Sequence, residues 1–314
     1  MGNLLHRFIL SLIVLGLVAV VVFVLVEALP GDAATAFLGQ QATPEGLAQV
    51  RLRLGLDRPA HERFFEWAGG ILRGDLGVSL MRDEPINDFL WTRLRNSLLL
   101  GLSAALVGFP LAIGLGVIAG LTRDRWPDLT LSTGSLIGMS MPDFVIATLL
   151  IYVFSVQLRW FPAVTLVNPD APVLELLPNI VLPIATLTIL LTAYILRIMR
   201  TGIIEVMRSD YIRVARMKGL HHVVILFRHA LPNALLPTIT VSALTVAWLI
   251  GNLVVIEAVF NYPGIGTLML SAIQNRDLPL VQSIAIIMAV IYLTVNLTAD
   301  LLTLALNPRL RVRG

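Results

Sequence analysis

Apolar and polar positions alternate along this chain on the scale of a bilayer, not of a helix face. Apolar runs near the ~20 residues that cross a hydrocarbon core recur six times. They lie at Ile9–Ala28, Leu98–Leu121, Leu129–Ser155, Ile180–Ile198, Ala234–Ile256 and Leu280–Leu306. Polar segments separate them: Leu29–Ser97, Thr122–Asp128, Val156–Asn179, Arg197–Asn233 and Glu257–Pro279. The pattern predicts an all-α integral membrane protein of about six transmembrane helices. Composition agrees. Hydrophobic residues make up 57% and charged residues 14% of the chain, against about 25% charged in a soluble domain.

Charge orients the spans. An even number of crossings puts both termini on one side. With the termini in the cytoplasm, the inner segments carry Arg7, Arg123, Arg125, Arg309, Arg311, Arg313 and all the basic residues of Arg197–Asn233. The short outer loops carry only Arg159 and Arg276. That asymmetry predicts cytoplasmic N- and C-termini. The Leu29–Ser97 segment holds eight further arginines, but long loops are largely exempt from the rule.

The N-terminus mimics two processing signals. Arg7, an apolar run and Ala34-Thr35-Ala36 resemble a signal peptide, but Phe8–Val26 exceeds the usual ~7–15-residue apolar region. Met1-Gly2 suggests myristoylation, but position 6 is His6 and not a hydroxyl residue. The segment is expected to stay as a span.

Residues 29–97 are expected to form an external helical cap. Pro30-Gly31-Asp32 and Gly74-Asp75-Leu76-Gly77 read as turns. Thr43-Pro44-Glu45-Gly46 opens a stretch of helical spacing, Leu47–Leu54. Phe64, Phe65 and Trp67 suit a membrane interface or a partner. A cap packed on its own bundle and a docking surface or lid both remain open.

Few polar groups interrupt the spans. Pro142 frees a backbone carbonyl in the third, and Asp143 follows it. Asp143 either lines a substrate path or bonds within the bundle. Asn252 in the fifth span, Glu257 at its end, and Pro263 and Gly264 beyond it are further candidates for a translocation path or gate. Arg197 and Arg200, at the inner end of the fourth span, are expected to form a structural ion pair with Asp300.

Missing chemistry narrows the function. The chain has no Cys, and its five His show no metal-ligand spacing. Ion-driven pumping needs a chain of buried carboxylates or His. Lys218 is the sole lysine, in Arg216-Met217-Lys218-Gly219, so no P-loop is present. No nucleophile elbow or metal-binding helix pair occurs.

The central segment Arg197–Asn233 concentrates Arg197, Arg200, Arg208, Arg213, Arg216, Lys218 and Arg228 against Glu205 and Asp210. Ser209-Asp210 can cap a short helix, Tyr211–Lys218, ended by Gly219. At ~100° per residue, Tyr211, Ile212, Ala215 and Gly219 fall on one side, and Arg213 and Arg216 on another. Ala215 and Gly219 leave room for an approaching backbone. This favours a protein partner over a lipid anchor, which uses bulky apolar residues.

These residues resemble the cytoplasmic loop of ABC importer permeases. Its pattern is Glu-Ala-Ala, three residues, Gly, nine residues, Ile, one residue, Leu-Pro. Ala215, Gly219, Leu231 and Pro232 match, while Arg213, Val214 and His229 depart. The stretch Asp210 to Leu220 is similar to the dipeptide/oligopeptide branch. So are Leu29-Pro30-Gly31-Asp32, Gly74 to Ser79, Arg95-Asn96-Ser97 and Trp160-Phe161-Pro162. So, further on, are Asn233 to Pro237, Glu257 to Phe260, Pro263 to Gly266, Arg276 to Pro279 and Asn307-Pro308-Arg309.

The resemblance implies one transmembrane permease domain over residues 1–314 in a bacterial inner membrane, of the first-permease type. It implies a homologous second permease, two cytoplasmic ATPase subunits that bind ATP and Mg, and an external substrate-binding protein. The chain itself would carry no cofactor and no catalytic site, and bind no nucleic acid. Tyr211, Ile212, Arg213, Ala215, Arg216, Lys218, Gly219, Leu231 and Pro232 would couple to the ATPase, and short peptides or related solutes would be the cargo. A stand-alone secondary transporter or channel with a lipid-anchored basic loop is the alternative.

Overall fold

The computed structural model describes residues 2–28, 35 and 43–306. The turn expected at Pro30-Gly31-Asp32 and the Asn307-Pro308-Arg309 ending lie outside these residues. The described chain is helical, and its only bridge pairing is the isolated contact of Val78 with Pro85.

Among the described residues, eleven principal helices follow in order: α1 (Gly2–Glu27), α2 (Pro44–Leu54), α3 (Ala60–Leu72), α4 (Ile86–Leu121), α5 (Trp126–Ser140), α6 (Asp143–Leu150), α7 (Val181–Met207), α8 (Asp210–Met217), α9 (Leu231–Val259), α10 (Ile265–Gln274) and α11 (Leu278–Leu306). Among the described residues, α1, α4, α7 and α11 are each long and apolar enough to cross a membrane. The pair α5–α6 makes a fifth if counted as one span. The predicted span Ala234–Ile256 falls within α9, whose 29 residues give a length of ~43 Å at 1.5 Å per residue.

Three predicted spans change shape. The third is not continuous: α5 and α6 meet at a 110° bend. Pro142 causes it, since it lacks an N–H and holds Met141 extended at ψ 135°. After Leu150 the chain widens into a π-helical turn, Ile151–Gln157. The fourth span runs on to Met207, nine residues past its expected end. Met199, Gly202 and Ile203 continue its buried face, so packing sustains the helix into the basic segment. The second starts earlier, at Ile86.

The chain divides into two compact units, Met1–Asn96 with Pro263–Thr294, and Ser97–Tyr262 with Val295–Gly314. In the first, Leu76, Ile86, Leu90, Ile265, Leu268, Ala272, Leu280 and Ile284 form the core. Asp277, fully buried, clamps the Val78–Pro85 turn. It accepts from Ser79 Oγ at 2.5 Å and from the N–H groups of Leu80 and Met81 at 3.2 and 3.3 Å. Thr43 Oγ1 accepts the Gly46 N–H and starts α2, where the sequence opens a stretch of helical spacing.

In the second unit α7 is the central helix. Its Leu187, Leu191 and Ile195 pack with Leu100, Ala104, Ala112 and Leu249. Close approach of α4 to α7 depends on small residues. A Cβ on Gly116 would sit 2.6 Å from Met199 Cβ, and one on Gly120 2.7 Å from Ile203 Cγ2. Gly108, Ala112, Gly116 and Gly120 recur every fourth residue, the spacing that brings membrane helices together.

Candidate functional site

The basic segment is shaped by how α7 ends and α8 begins. Arg208 closes α7, and Ser209 turns extended at ψ 151° before α8. Ser209 does not cap α8 with its side chain: its Oγ donates back to Val206 O at 2.5 Å. Asp210 in the first turn and Arg216 in the last suit the helix dipole. Gly219, at φ +76°, ends α8 in a left-handed turn. Its N–H bonds Arg216 O, and the Leu220 N–H bonds Ala215 O, which satisfies carbonyls that α8 leaves open.

The predicted grouping holds for Ile212 with Ala215 and for Arg213 with Arg216, but Tyr211 and Gly219 are exposed, and the side expected to face a partner turns inward at Ile212 and Ala215. Ile212 and Ala215 are buried against Met199, Ile203, Ile225, Leu226, Ala230 and Ala234 of the chain's own bundle. They are not an open docking surface. The small side chain of Ala215 lets α8 sit close on its own bundle. Tyr211, Arg213, Val214, Arg216, Met217 and Lys218 are the exposed side, with Met217 73% exposed. The following segment exposes Leu220, Val223, Val224 and Phe227, together with Arg228.

A second attachment fixes α8 to the start of α9. Asn233 Nδ2 donates to Tyr211 Oη at 3.1 Å and to His229 O at 2.7 Å. Leu231 and Pro232 form the first turn of α9. Between them and α8 lies a π-helical turn, Ile225–Ala230. In the sequence Asn233 stands only as the first residue of the Asn233 to Pro237 block, with no role of its own.

Arg200 forms an ion pair, but with Asp128 in place of the expected Asp300. Its Nε and Nη2 donate to Asp128 Oδ1 and Oδ2 at 2.5 and 2.7 Å. Asp128 also accepts from the Asp124 N–H at 2.9 Å and from Ser132 Oγ at 3.1 Å, and is 1% exposed. The sequence reading put Asp128 at the end of a loop; it is the third residue of α5, facing α7. The signal was there: an acid just after Trp126-Pro127, a helix start, with an unmatched arginine in another span. Arg197 is exposed and reaches Met139 Sδ at 3.5 Å. Asp300 is half-buried on α11.

The path candidates divide. Asp143 is half-buried at the first position of α6, at the bend. Pro142 beside it is exposed. Asn252 has a buried Nδ2 with no hydrogen-bond partner among the described residues. Glu257 is fully buried and accepts from Ser97 Oγ at 2.5 Å. Pro263 and Gly264 are buried too, and Pro263 O accepts from Asn96 Nδ2 at 2.9 Å. These last three are packed inside the fold in this conformation. Among the described residues no group of three His, Cys, Asp or Glu could hold a metal ion.

The chain as a whole has counterparts among known proteins. The family model of the binding-protein-dependent transport system inner membrane component matches residues 112–312. The model for the N-terminal part of such membrane components matches residues 1–98. A probable peptide ABC transporter permease protein of Sinorhizobium fredii is 36% identical over 307 residues, with 98% of each chain covered. The glutathione transport system permease protein of Escherichia coli is 34% identical over 297 residues, 95% of this chain and 94% of that one. In fold, the chain is similar to the crystal structure of an amino acid ABC transporter with histidines, at a TM-score of 0.53 and 18% identity. That match covers 69% of this chain and 94% of the other. The chain belongs to the binding-protein-dependent transport system inner membrane components and is a multi-pass permease subunit of an ABC importer.

Proposed function

We propose that the chain acts as a single permease domain and supplies half of a translocation pore. A homologous second permease supplies the other half. Two cytoplasmic ATPase subunits bind ATP and Mg and power it, and an external binding protein delivers the cargo. The chain itself performs no catalysis. It converts closure of the ATPase pair into alternating access, as a two-state element biased by its partners. The residues alone left a stand-alone transporter open; family membership sets that reading aside.

One observation carries the coupling role. α8 is fixed inward by Ile212 and Ala215 and by the Asn233–Tyr211 bond, yet exposes Val214 and Met217 between Arg213, Arg216 and Lys218. A push on that outer side is transmitted to α7 and α9 without slack. Exposed apolar side chains in a cytoplasmic segment mark an interaction surface.

The same bulky outer side also supports a second reading, anchorage to anionic lipid, which the small-residue argument from sequence had disfavoured. Val214→Asp with Met217→Asp separates the two. If α8 seats in the ATPase, co-purification of that subunit falls roughly tenfold or more, since each buried apolar side chain contributes ~1.5–3 kcal/mol. Undiminished ATPase recovery would sink the coupling role.

The cargo is proposed to be short peptides or related small solutes, as the names of the relatives suggest. Asp143 at the bend and Asn252 Nδ2, without a partner among the described residues, are the groups suited to meet an amine and a carbonyl along the path. The binding protein is expected to set most of the selectivity.

A further inference from the structure

Three sides of α3 have different surroundings. On one, Phe64 and Trp67 meet Phe23 of α1 at centroid distances of 5.3 and 5.9 Å. Arg63 Nη2 bonds Glu27 Oε1 at 2.6 Å, and Ile71 packs on the core of its unit. On the second, Glu62 and Glu66 both pair with Arg58. The third carries Phe65, Ala68, Gly69 and Leu72, spaced as one helical stripe. Phe65 is 71% and Leu72 89% exposed, and among the described residues the only ring that meets Phe65 is that of its neighbour Phe64, at 5.5 Å.

We propose that α3 is an interfacial helix, with its Phe65–Leu72 stripe resting in the headgroup–acyl boundary at the Glu27 end of α1. That end is the outer one in the topology proposed above, but the placement depends only on α1 being a span. α1 fixes the depth. Its 26 residues extend ~39 Å, beyond the ~30 Å hydrocarbon core. Its last turn therefore lies among headgroups. Phe23, the contact for Phe64 and Trp67, is one turn inside Glu27, and Arg63 holds α3 at that level. An aromatic apolar stripe flanked by a charged side, Glu62 and Glu66, matches the make-up of a helix lying in the interface. The charged side pairs acids with Arg58, so adhesion comes from the apolar stripe and not from anionic lipid.

The chain contains no cysteine, so one introduced thiol is unique within it, and the unsubstituted complex treated with the same label supplies the background. Phe65→Cys, Leu72→Cys and Glu62→Cys, each in the full chain within its assembled complex, are labelled with an environment-sensitive fluorophore in vesicles. The labels at positions 65 and 72 are expected to emit to the blue of the label at 62. They are also expected to be quenched more by nitroxide lipids labelled near the headgroup than by those labelled at the chain end. Aqueous iodide should quench the label at 62 most. Iodide quenching equal at all three positions, or labels at 65 and 72 shielded from both lipid and water by a protein subunit, would overturn the proposal. A membrane-impermeant thiol reagent on Glu62→Cys reads the side separately. Reaction only from the cytoplasm would contradict the topology, while the quenching pattern still decides the interfacial placement.

Discussion

Asp128 accepts four hydrogen bonds in a site closed to water, two of them from one guanidinium. Removing the charge leaves Arg200 facing a neutral group inside the bundle. Breaking a buried pair costs about 3–5 kcal/mol, and the partial exposure of Arg200 puts this one near the lower end. Asp128→Asn is therefore expected to destabilise the chain by about 3 kcal/mol in denaturant titration of the purified complex. Arg200→Met in the same background should add much less than it does alone. Full additivity would show that the pair is not coupled. At Gly219 the limit is backbone and not space: φ is +76° and an added Cβ meets nothing within 4 Å. A left-handed conformation costs a side-chain-bearing residue about 1–2 kcal/mol, least for Asn and most for β-branched residues. Gly219→Asn should retain more ATP-driven uptake than Gly219→Val. Equal loss in both would point to a steric role for the glycine at a partner surface.

At the scale of elements, the long helices were legible because spanning a bilayer leaves an unbroken apolar run. Their ends were less so. α7 outruns its apolar stretch because Met199, Gly202 and Ile203 keep packing after the arginines begin. The periodicity around α8 paired Ile212 with Ala215 and Arg213 with Arg216, but it misplaced Tyr211 and did not show which side turns inward. That depends on α7 and α9, whose contacts with it are distant in sequence. The stripe Gly108-Ala112-Gly116-Gly120 was readable and passed over, because in an apolar run small residues look like the rest. It makes a prediction of its own. Gly116→Leu must displace Met199, whose Cβ lies 2.6 Å from the new Cβ position. Overpacking of this kind costs about 1–3 kcal/mol, visible as a lower melting temperature. Gly114→Leu, with open space around it, should be near neutral.

At the scale of the molecule, membrane class and transporter family could be read from the chain, since hydropathy and loop motifs are local properties. Asp128, Asn233 and Asp277 could not be assigned, because each acts through a partner remote in sequence: Arg200, Tyr211 and Ser79. The proposed function makes the chain a device powered by other subunits and driven through α8. Uptake into vesicles holding the assembled complex, with all ion gradients collapsed, tests this most directly. With ATP on the α8 side and loaded binding protein on the other, cargo should accumulate, and Val214→Asp with Met217→Asp should abolish accumulation while leaving the chain inserted. Accumulation that needs an ion gradient, or that survives both substitutions unchanged, would contradict the account.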